Sequence, residues 1–410
     1  MNVRYFSAPR LRDYLPSMKL GTLDFLGESP AVRPLAVQTT FEGLSFDFNM
    51  GLRLQIPAGN WHVTIFDCDS AEIVFNESVS DTLLISLEKF FVRWGFIIRL
   101  DGEIVFTHKF SPEDKKIHVY FPSSGMGDRI VYFPYMEAFR KTWNCKVSCT
   151  VEPYLQEIIE LYYPEIEVIP PPADSYATYF IAPGFSPLFY PEEIRKVTME
   201  KFGQQVFGLS CPEKIIYRPT KSRQIPEPYV CIAVQASCTV KTWLNPDGWS
   251  SVVNYLKKLG YRVLCIDKNR EQSDHGFTVK MPEGAEDFTG DLPLSERINL
   301  LAYSDFFIGL SSGLAWLAWA ADVPVVLISG ITAPDFEFST PYRVVNRLVC
   351  FGCHNDIDIA WPSFETCPNH RDTDRAFECS RKISARQVIN AVNRLIDDKQ
   401  KGRFAYPAFL

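Results

Sequence analysis

The feature that most constrains this chain is a strand–helix alternation that runs, stops at a proline-rich segment and starts again. RPTKSRQIPEP is polar, basic and rich in proline, so it reads as a linker. After it, YVCIAVQAS is an apolar run of buried-strand type, GWSSVVNYLKKLG a helix and YRVLCID a strand. SERINLLAYS, DFFIGL, SGLAWLAWAA and PVVLIS continue as helix, strand, helix and strand. Before the linker, KIHVYF, IVYFPYMEAFRKTW, KVSCTV, YLQEIIELYY and EIEVIP alternate in the same way; PPPAD interrupts them, and EEIRKVTMEKFGQQVFGL is helical in pattern. Alternation of this kind builds parallel sheets flanked by helices, the α/β class. The last helix, ARQVINAVNRLIDD, is announced by Ser384 with Gln387 three residues on, a capping box.

In front of the alternation, about residues 40 to 121, the period is two. WHVTIFDC, FFVRWGFIIRL, EIVFTHKF and KIHVYF are separated by PAGN, DGE and SPEDKK turns. The expected organisation is an antiparallel β-barrel or sandwich over 1–115, a first α/β domain over 116–222 and a second over 223–410. A cysteine-rich finger at 345–382 lies inside the second.

Composition excludes several classes. Hydrophobic residues make up 46% and charged residues 22% of the 410, as in ordinary globular chains rather than disordered ones. A formal net charge of −7 argues against nucleic acid as a partner, because phosphate binding calls for a basic face. No apolar run is long enough to span a bilayer, and the first residues lack a basic segment leading into an apolar core, so the expected location is the cytoplasm. Eleven cysteines, an odd count, fit reduced thiols better than a complete disulfide framework.

Ligands of open α/β sheets bind at the carboxyl ends of the strands. Four loops there carry candidate chemistry. In SSGMGD, Gly125 and Gly127 allow a tight turn and place Asp128 at a helix start, where it can accept a proton from an alcohol or simply favour the helix dipole. In QASCTVKTW, Lys241 lies near Ser237 and can neutralise a phosphate, or stay solvated. Asp267 of CIDKNRE closes a strand, where an acid holds ribose hydroxyls or caps the chain. Ser311, Ser312 and Gly313 of GLSSGLAWLAWA precede an apolar helix whose free N–H groups suit a diphosphate, or serve as an ordinary cap. Neither G-x-x-x-x-G-K-[ST] nor G-x-G-x-x-G occurs, which counts against a P-loop enzyme and a dehydrogenase.

LVCFGCHN poses a separate question. Its full spacing is C-x₂-C-x₁₃-C-x₁₁-C, through Cys350, Cys353, Cys367 and Cys379. Two ligands on a knuckle and two from the returning chain can close a tetrahedral thiolate site for zinc or a single iron. His354 and His370 are expected on the surface. A site with no open position is structural, not catalytic.

At these residues the chain resembles the ADP-heptose heptosyltransferases. Gly125-Met126-Gly127-Asp128 matches the loop that supplies the base in that family, and Lys241 with Trp243 matches its second-half lysine and tryptophan. DFTGDLPLSERINLLAYSDFFIGLSSGLAWLAWAADVPVVLISG resembles its donor-binding block, with Ser312-Gly313-Leu314 in place of Thr-Gly-Leu. GNWHVTIFDCDSAEI, FFVRW, EPYVCIA, GAEDFTG and the cysteine-rich tail are similar to one branch, the bacterial autotransporter heptosyltransferases. Ser311 and Trp316 stand where the lipopolysaccharide branch has Asp and His.

The resemblance implies a GT-B fold: two Rossmann-like halves facing a cleft, behind the β domain and with a four-cysteine metal finger. It implies inverting transfer of heptose from ADP-heptose to serine hydroxyls of an autotransporter adhesin passenger. Asp128 would be the base and Lys241 would stabilise departing ADP. Gly127, Ser237, Asp267, Ser311, Ser312, Gly313, Leu314 and Trp316 would contact the donor. It implies iron rather than zinc at Cys350, Cys353, Cys367 and Cys379, no catalytic divalent metal, and a large homo-oligomer, dodecameric in type. The alternatives are a lipopolysaccharide-type acceptor and, in another class, a metal-finger interaction module without enzymatic activity.

Overall fold

Fully apolar tetrapeptides such as VVLI belong in strands covered on both faces, and a computed structural model of the chain buries them so. It describes residues 2–6, 35, 39–121, 125–170, 174–181, 192–274, 277–359 and 366–404. Most of 1–40, Pro122 with the first two residues of the SSGMGD loop, 171–173 of PPPAD and 360–365 of the finger lie outside the described residues.

The downstream alternation forms a six-stranded parallel sheet. Its central strands β13 (Tyr229–Ile232), β18 (Phe307–Leu310) and β19 (Val325–Ile328) are buried throughout. β14 (Arg262–Cys265) and β17 (Glu286–Asp287) extend one side and β20 (Arg343–Val344) the other, in the order β17-β14-β13-β18-β19-β20. A short antiparallel ribbon, β15 (Glu271–Asp274) with β16 (Phe277–Lys280), stands apart.

The upstream alternation forms parallel strands β9 (Lys116–Tyr120), β10 (Lys146–Thr150), β11 (Ile166–Val168) and β12 (Ala177–Phe180). The front segment then departs from expectation. A barrel or sandwich over 1–115 would close on itself. Instead β1 (Asn2–Phe6), β2 (Ser45–Asn49), β3 (Arg53–Ile56) and β6 (Thr82–Ser86) join the parallel strands in one eight-stranded sheet, order β1-β6-β3-β2-β12-β9-β10-β11. The junction is the parallel pairing of β2 with β12. Only β4 (Trp61–Asp67), β5 (Ile73–Val79), β7 (Trp94–Leu100) and β8 (Glu103–Lys109) make a separate antiparallel sheet. β2 is buried on nearly every residue, so it needs a partner on each side, and a free-standing hairpin would leave one edge open.

The helices, in chain order, are α1 (Met126–Ile130), α2 (Phe133–Trp143), α3 (Pro153–Tyr162), α4 (Met199–Phe207), α5 (Gly248–Lys258), α6 (Leu294–Ala302), α7 (Gly313–Ala320), α8 (Glu378–Arg381) and α9 (Ala385–Gln400). The capping box of α9 forms as read: Ser384 Oγ accepts from Gln387 N–H at 3.3 Å and Gln387 Oε1 accepts from Ser384 N–H at 2.8 Å. Within EEIRKVTMEKFGQQVFGL the α-helix is confined to α4, because Thr198 caps it through a 3.0 Å bond from Lys201 N–H. α7 is apolar all round, and a helix of that kind needs partners on every face. It lies in the core that runs from the first sheet to one face of the second. No helix among the described residues is long and apolar enough to cross a membrane.

Candidate functional site

α1 carries Asp128 and packs against α7 of the second sheet. Glycine makes the approach possible: a Cβ on Gly127 would lie 2.3 Å from Trp316 Cδ1, and one on Gly313 2.5 Å from Met126. Gly127→Ala is therefore expected to destabilise the fold by about 1–3 kcal/mol, as overpacking does, and less in a Trp316→Leu background. Urea unfolding of the four chains of this cycle measures it; additive effects would refute the contact. Trp316 is buried, edge-on to Trp319 and Phe338 at 5.4 and 4.8 Å. It forms the seam between α1 and α7.

Asp128 is half-buried. Its Oδ2 accepts from Gly125 N–H at 3.0 Å, so the acid does serve the helix start, and no other hydrogen bond to its carboxylate forms among the described residues. Burial pushes its pKa up, opposed by Lys241, Arg129 and the Gly125 N–H, and reinforced by Glu337. The neighbouring Arg129 is fully buried, donating to Gly125 O at 3.1 Å and to Glu152. That pair anchors the short helix from behind.

Lys241 ends a single 3-10 turn, Thr239–Lys241, after β13 and is half-buried. Its charge is felt by Asp128, by Glu337 and by His354. Trp243 is buried, donating to Ile383 O at 2.9 Å, so it ties this loop to the start of α9. Ser237 is exposed.

Glu337 is the residue that sequence reasoning missed. It is buried and takes the Thr332 hydroxyl at 3.0 Å, Arg343 Nη2 at 2.8 Å and the hydroxyl of Ser311. Burial alone would raise its pKa, but Arg343, Ser311 and Lys241 outweigh burial and hold it below the usual carboxylate value. It follows β19, and the strand-end rule that singled out four other loops applies to this one equally. Ser311 is thereby committed to Glu337 and the Ser312 N–H donates to Leu310 O at 2.7 Å, which leaves Gly313 and Leu314 to present backbone N–H groups at the first turn of α7.

Asp267 is taken up by the backbone. It is 1% exposed, and its carboxylate accepts from Val234 N–H at 2.8 Å and Gln235 N–H at 3.2 Å. It closes the end of β14 onto the end of β13, so the ribose-holding role gives way to a structural one. A strand-end acid can satisfy adjacent backbone donors as readily as a ligand's hydroxyls, and burial selects the former here.

Cys350, Cys353, Cys367 and Cys379 line one small cavity with His370, Phe377 and Glu378. Cys350 Sγ and Cys353 Sγ are 3.6 Å apart. Gly352 turns the knuckle at φ 77°, a conformation that favours glycine. Burial, with repulsion from the neighbouring sulfurs, pushes the Cys379 thiol up to about 12 and raises the Cys353 thiol as well. No three His, Cys, Asp or Glu side chains stand at metal-ligating separations among the described residues. The donor chemistry nevertheless fits a thiophilic ion: bonds of about 2.3 Å to four sulfurs at tetrahedral angles give S–S edges of about 3.8 Å, near the separation of the knuckle pair. His354 is half-buried, where an exposed position was expected. Burial, then Lys241, lower its pKa to about 4.

Known proteins resemble the chain along its length. Residues 41–101 match the N-terminal domain of glycosyltransferase TibC, and residues 197–358 match glycosyltransferase family 9 (heptosyltransferase). The autotransporter heptosyltransferase TibC of Escherichia coli O78:H11 (strain H10407 / ETEC) is 40% identical over 365 residues, 86% of this chain and 90% of TibC. BimC of Burkholderia thailandensis, described as an inactive autotransporter heptosyltransferase, is 32% identical over 366 residues, 86% of each chain. The crystal structure of TibC, described as an iron-containing dodecameric glycosyltransferase, superposes with a TM-score of 0.84 at 38% identity, covering 90% of this chain and 99% of TibC. A second TibC crystal, in complex with ADP-D-β-D-heptose, superposes equally well.

Proposed function

Because this chain belongs to the autotransporter heptosyltransferases, within glycosyltransferase family 9, we propose that it transfers heptose from ADP-heptose to serine hydroxyls of an autotransporter adhesin passenger. The observation that carries this reading is the convergence of Asp128, from the first sheet, with Lys241 and the start of α7, from the second. On this reading the fold is of GT-B type, its two Rossmann-like halves meeting where acceptor and donor would meet.

The acceptor serine gives its proton to the Asp128 carboxylate as its oxygen bonds to the anomeric carbon from the side opposite ADP. The bond from that carbon to the diphosphate oxygen breaks, and ADP departs with the electron pair. Lys241 and the N–H groups of Gly313 and Leu314 receive the developing charge. Cation and helix terminus together neutralise the diphosphate, so the reaction needs no catalytic divalent metal. Lys241→Ala is expected to lower kcat by about 10²-fold, with Lys241→Arg intermediate, measured as ADP release. An unchanged rate in the alanine variant removes the lysine from the mechanism.

Cys350, Cys353, Cys367 and Cys379 would hold iron, in keeping with the description of TibC. Four such ligands would leave no position open, so the ion they hold would supply a structural cross-link. By the same similarity the chain assembles as a large homo-oligomer, dodecameric in type, and acts in the cytoplasm before its acceptor is exported. The inactive relative makes the direct test necessary. Incubation with ADP-heptose and a serine-rich passenger, followed by intact-mass measurement, is expected to give steps of one heptosyl residue. A passenger of unchanged mass, with a lipopolysaccharide core modified instead, would reassign the acceptor; neither modified leaves the metal-finger module.

A further inference from the structure

The cysteine knuckle does not hang free of the Asp128–Lys241–Glu337 cluster. It is hydrogen-bonded along the loop that holds Glu337. Gly352 N–H donates to Gly330 O at 2.8 Å and His354 N–H to Ile331 O at 3.0 Å. Ala333 N–H donates to the side-chain Oδ1 of Asn355 at 2.8 Å. These three bonds bracket Thr332, whose hydroxyl donates to Glu337 at 3.0 Å and meets Ser329 Oγ at 2.6 Å. A Cβ on Gly330 would meet the Cys379 carbonyl oxygen at 2.8 Å, so the returning arm of the finger presses on the same loop.

The other end of the Asn355 amide reaches the opposite side. Its Nδ2 donates to Arg195 O at 2.9 Å, and the Arg195 guanidinium donates back to Asp356 O at 3.0 Å and Ile359 O at 2.8 Å. Arg195 stands shortly before α4, whose first residue Met199 donates its N–H to Phe336 O at 3.1 Å. One amide therefore joins the knuckle to the 330–338 loop and to the segment that leads into α4.

We propose that Asn355 is a positioning residue for sugar transfer: it transmits the rigidity of the thiolate finger to Thr332 and Glu337, and through the Ser311 hydroxyl to the start of α7. The finger is then a strut for the diphosphate cradle. This rests on the heptosyltransferase reading, and the experiment separates the two. Displacing a catalytic group by about 1 Å can cost up to about 10²-fold in rate, so a lost strut reads out in kcat. A residue that only adds stability lowers the unfolding temperature but leaves kcat per folded molecule intact.

The test uses the full chain with its metal. Asn355→Ala is expected to keep its iron content, to lower kcat about tenfold or more with the ADP-heptose KM changed less than three-fold, and to speed amide exchange over 331–338. Asn355→Asp, which keeps the acceptor for Ala333 N–H and loses the donor to Arg195, is expected to retain more of the rate than alanine. Stripping metal from the parent chain is expected to speed exchange over the same amides. A folded, iron-loaded Asn355→Ala variant with kcat within two-fold of the parent overturns the proposal, as does unchanged exchange over 331–338. If the parent itself transfers no heptose, the functional reading falls, and exchange alone decides the strut.

Discussion

Asp128→Asn is expected to lower kcat for heptose transfer by about 10³-fold while ADP-heptose binding stays within about three-fold of the parent. The amide is nearly isosteric, and its oxygen still accepts the Gly125 N–H that the carboxylate takes at 3.0 Å, so α1 keeps its start. Only the ability to take a proton is removed. Nucleotide binding is expected to be spared because the proposed mechanism has the second sheet hold the diphosphate. The pH profile supplies a second readout. Burial raises the Asp128 pKa, and a base works only when deprotonated, so activity falls as pH drops through a value above the ordinary carboxylate range. Lys241 opposes that rise, so its replacement by alanine is expected to move the acid limb to still higher pH. Steady-state rates against pH for the three chains test both claims. Normal transfer by Asp128→Asn would remove the base from the mechanism.

Replacing Cys379 or Cys353 with serine should release the metal and cost several kcal/mol of stability. Structural four-ligand ions contribute apparent binding energies of about 10 kcal/mol or more in small thiolate domains, and that energy is folding energy when the site exists only in the folded chain. Both residues are buried, and burial with mutual repulsion raises their thiols, so without metal they are neutral at physiological pH. Binding then displaces protons from close-set sulfurs and turns repulsion into ligation. Metal analysis and thermal unfolding of the parent and of each variant measure the effect. A parent that purifies metal-free yet folds normally, or a Cys379→Ser chain with full occupancy, would refute the four-thiolate site. Cys145 and Cys149 supply the control: both are buried in the first-sheet core, and changing Cys149 to alanine should leave metal content untouched.

Some of this was legible from period and spacing. VVLI and FIGL read as buried strands, and Ser384 with Gln387 as a cap, because those signals are local and the chain honours them. The two-by-two cysteine spacing needs only a knuckle and a return, and the four do line one cavity. The GxGD letters place Asp128 on the first turn of a helix, where it is found.

Other assignments depended on which strands and loops meet, and no local pattern carries that. The alternation of the front strands is the same whether they close a barrel or, as here, β2 pairs with β12 more than a hundred residues away. Asp267 closes a strand end in either role; its carboxylate was decided by the Val234 and Gln235 amides that the fold puts beside it. Glu337 sits in an ordinary polar loop, and it becomes a charge anchor only because β18, β19 and β20 bring Ser311, Thr332 and Arg343 around it. Periodicity is a property of neighbouring residues and survives in the unfolded chain as a pattern. Burial and electrostatic company arise only when distant segments pack, and in this protein they decided which candidate acids the chain's own groups satisfy.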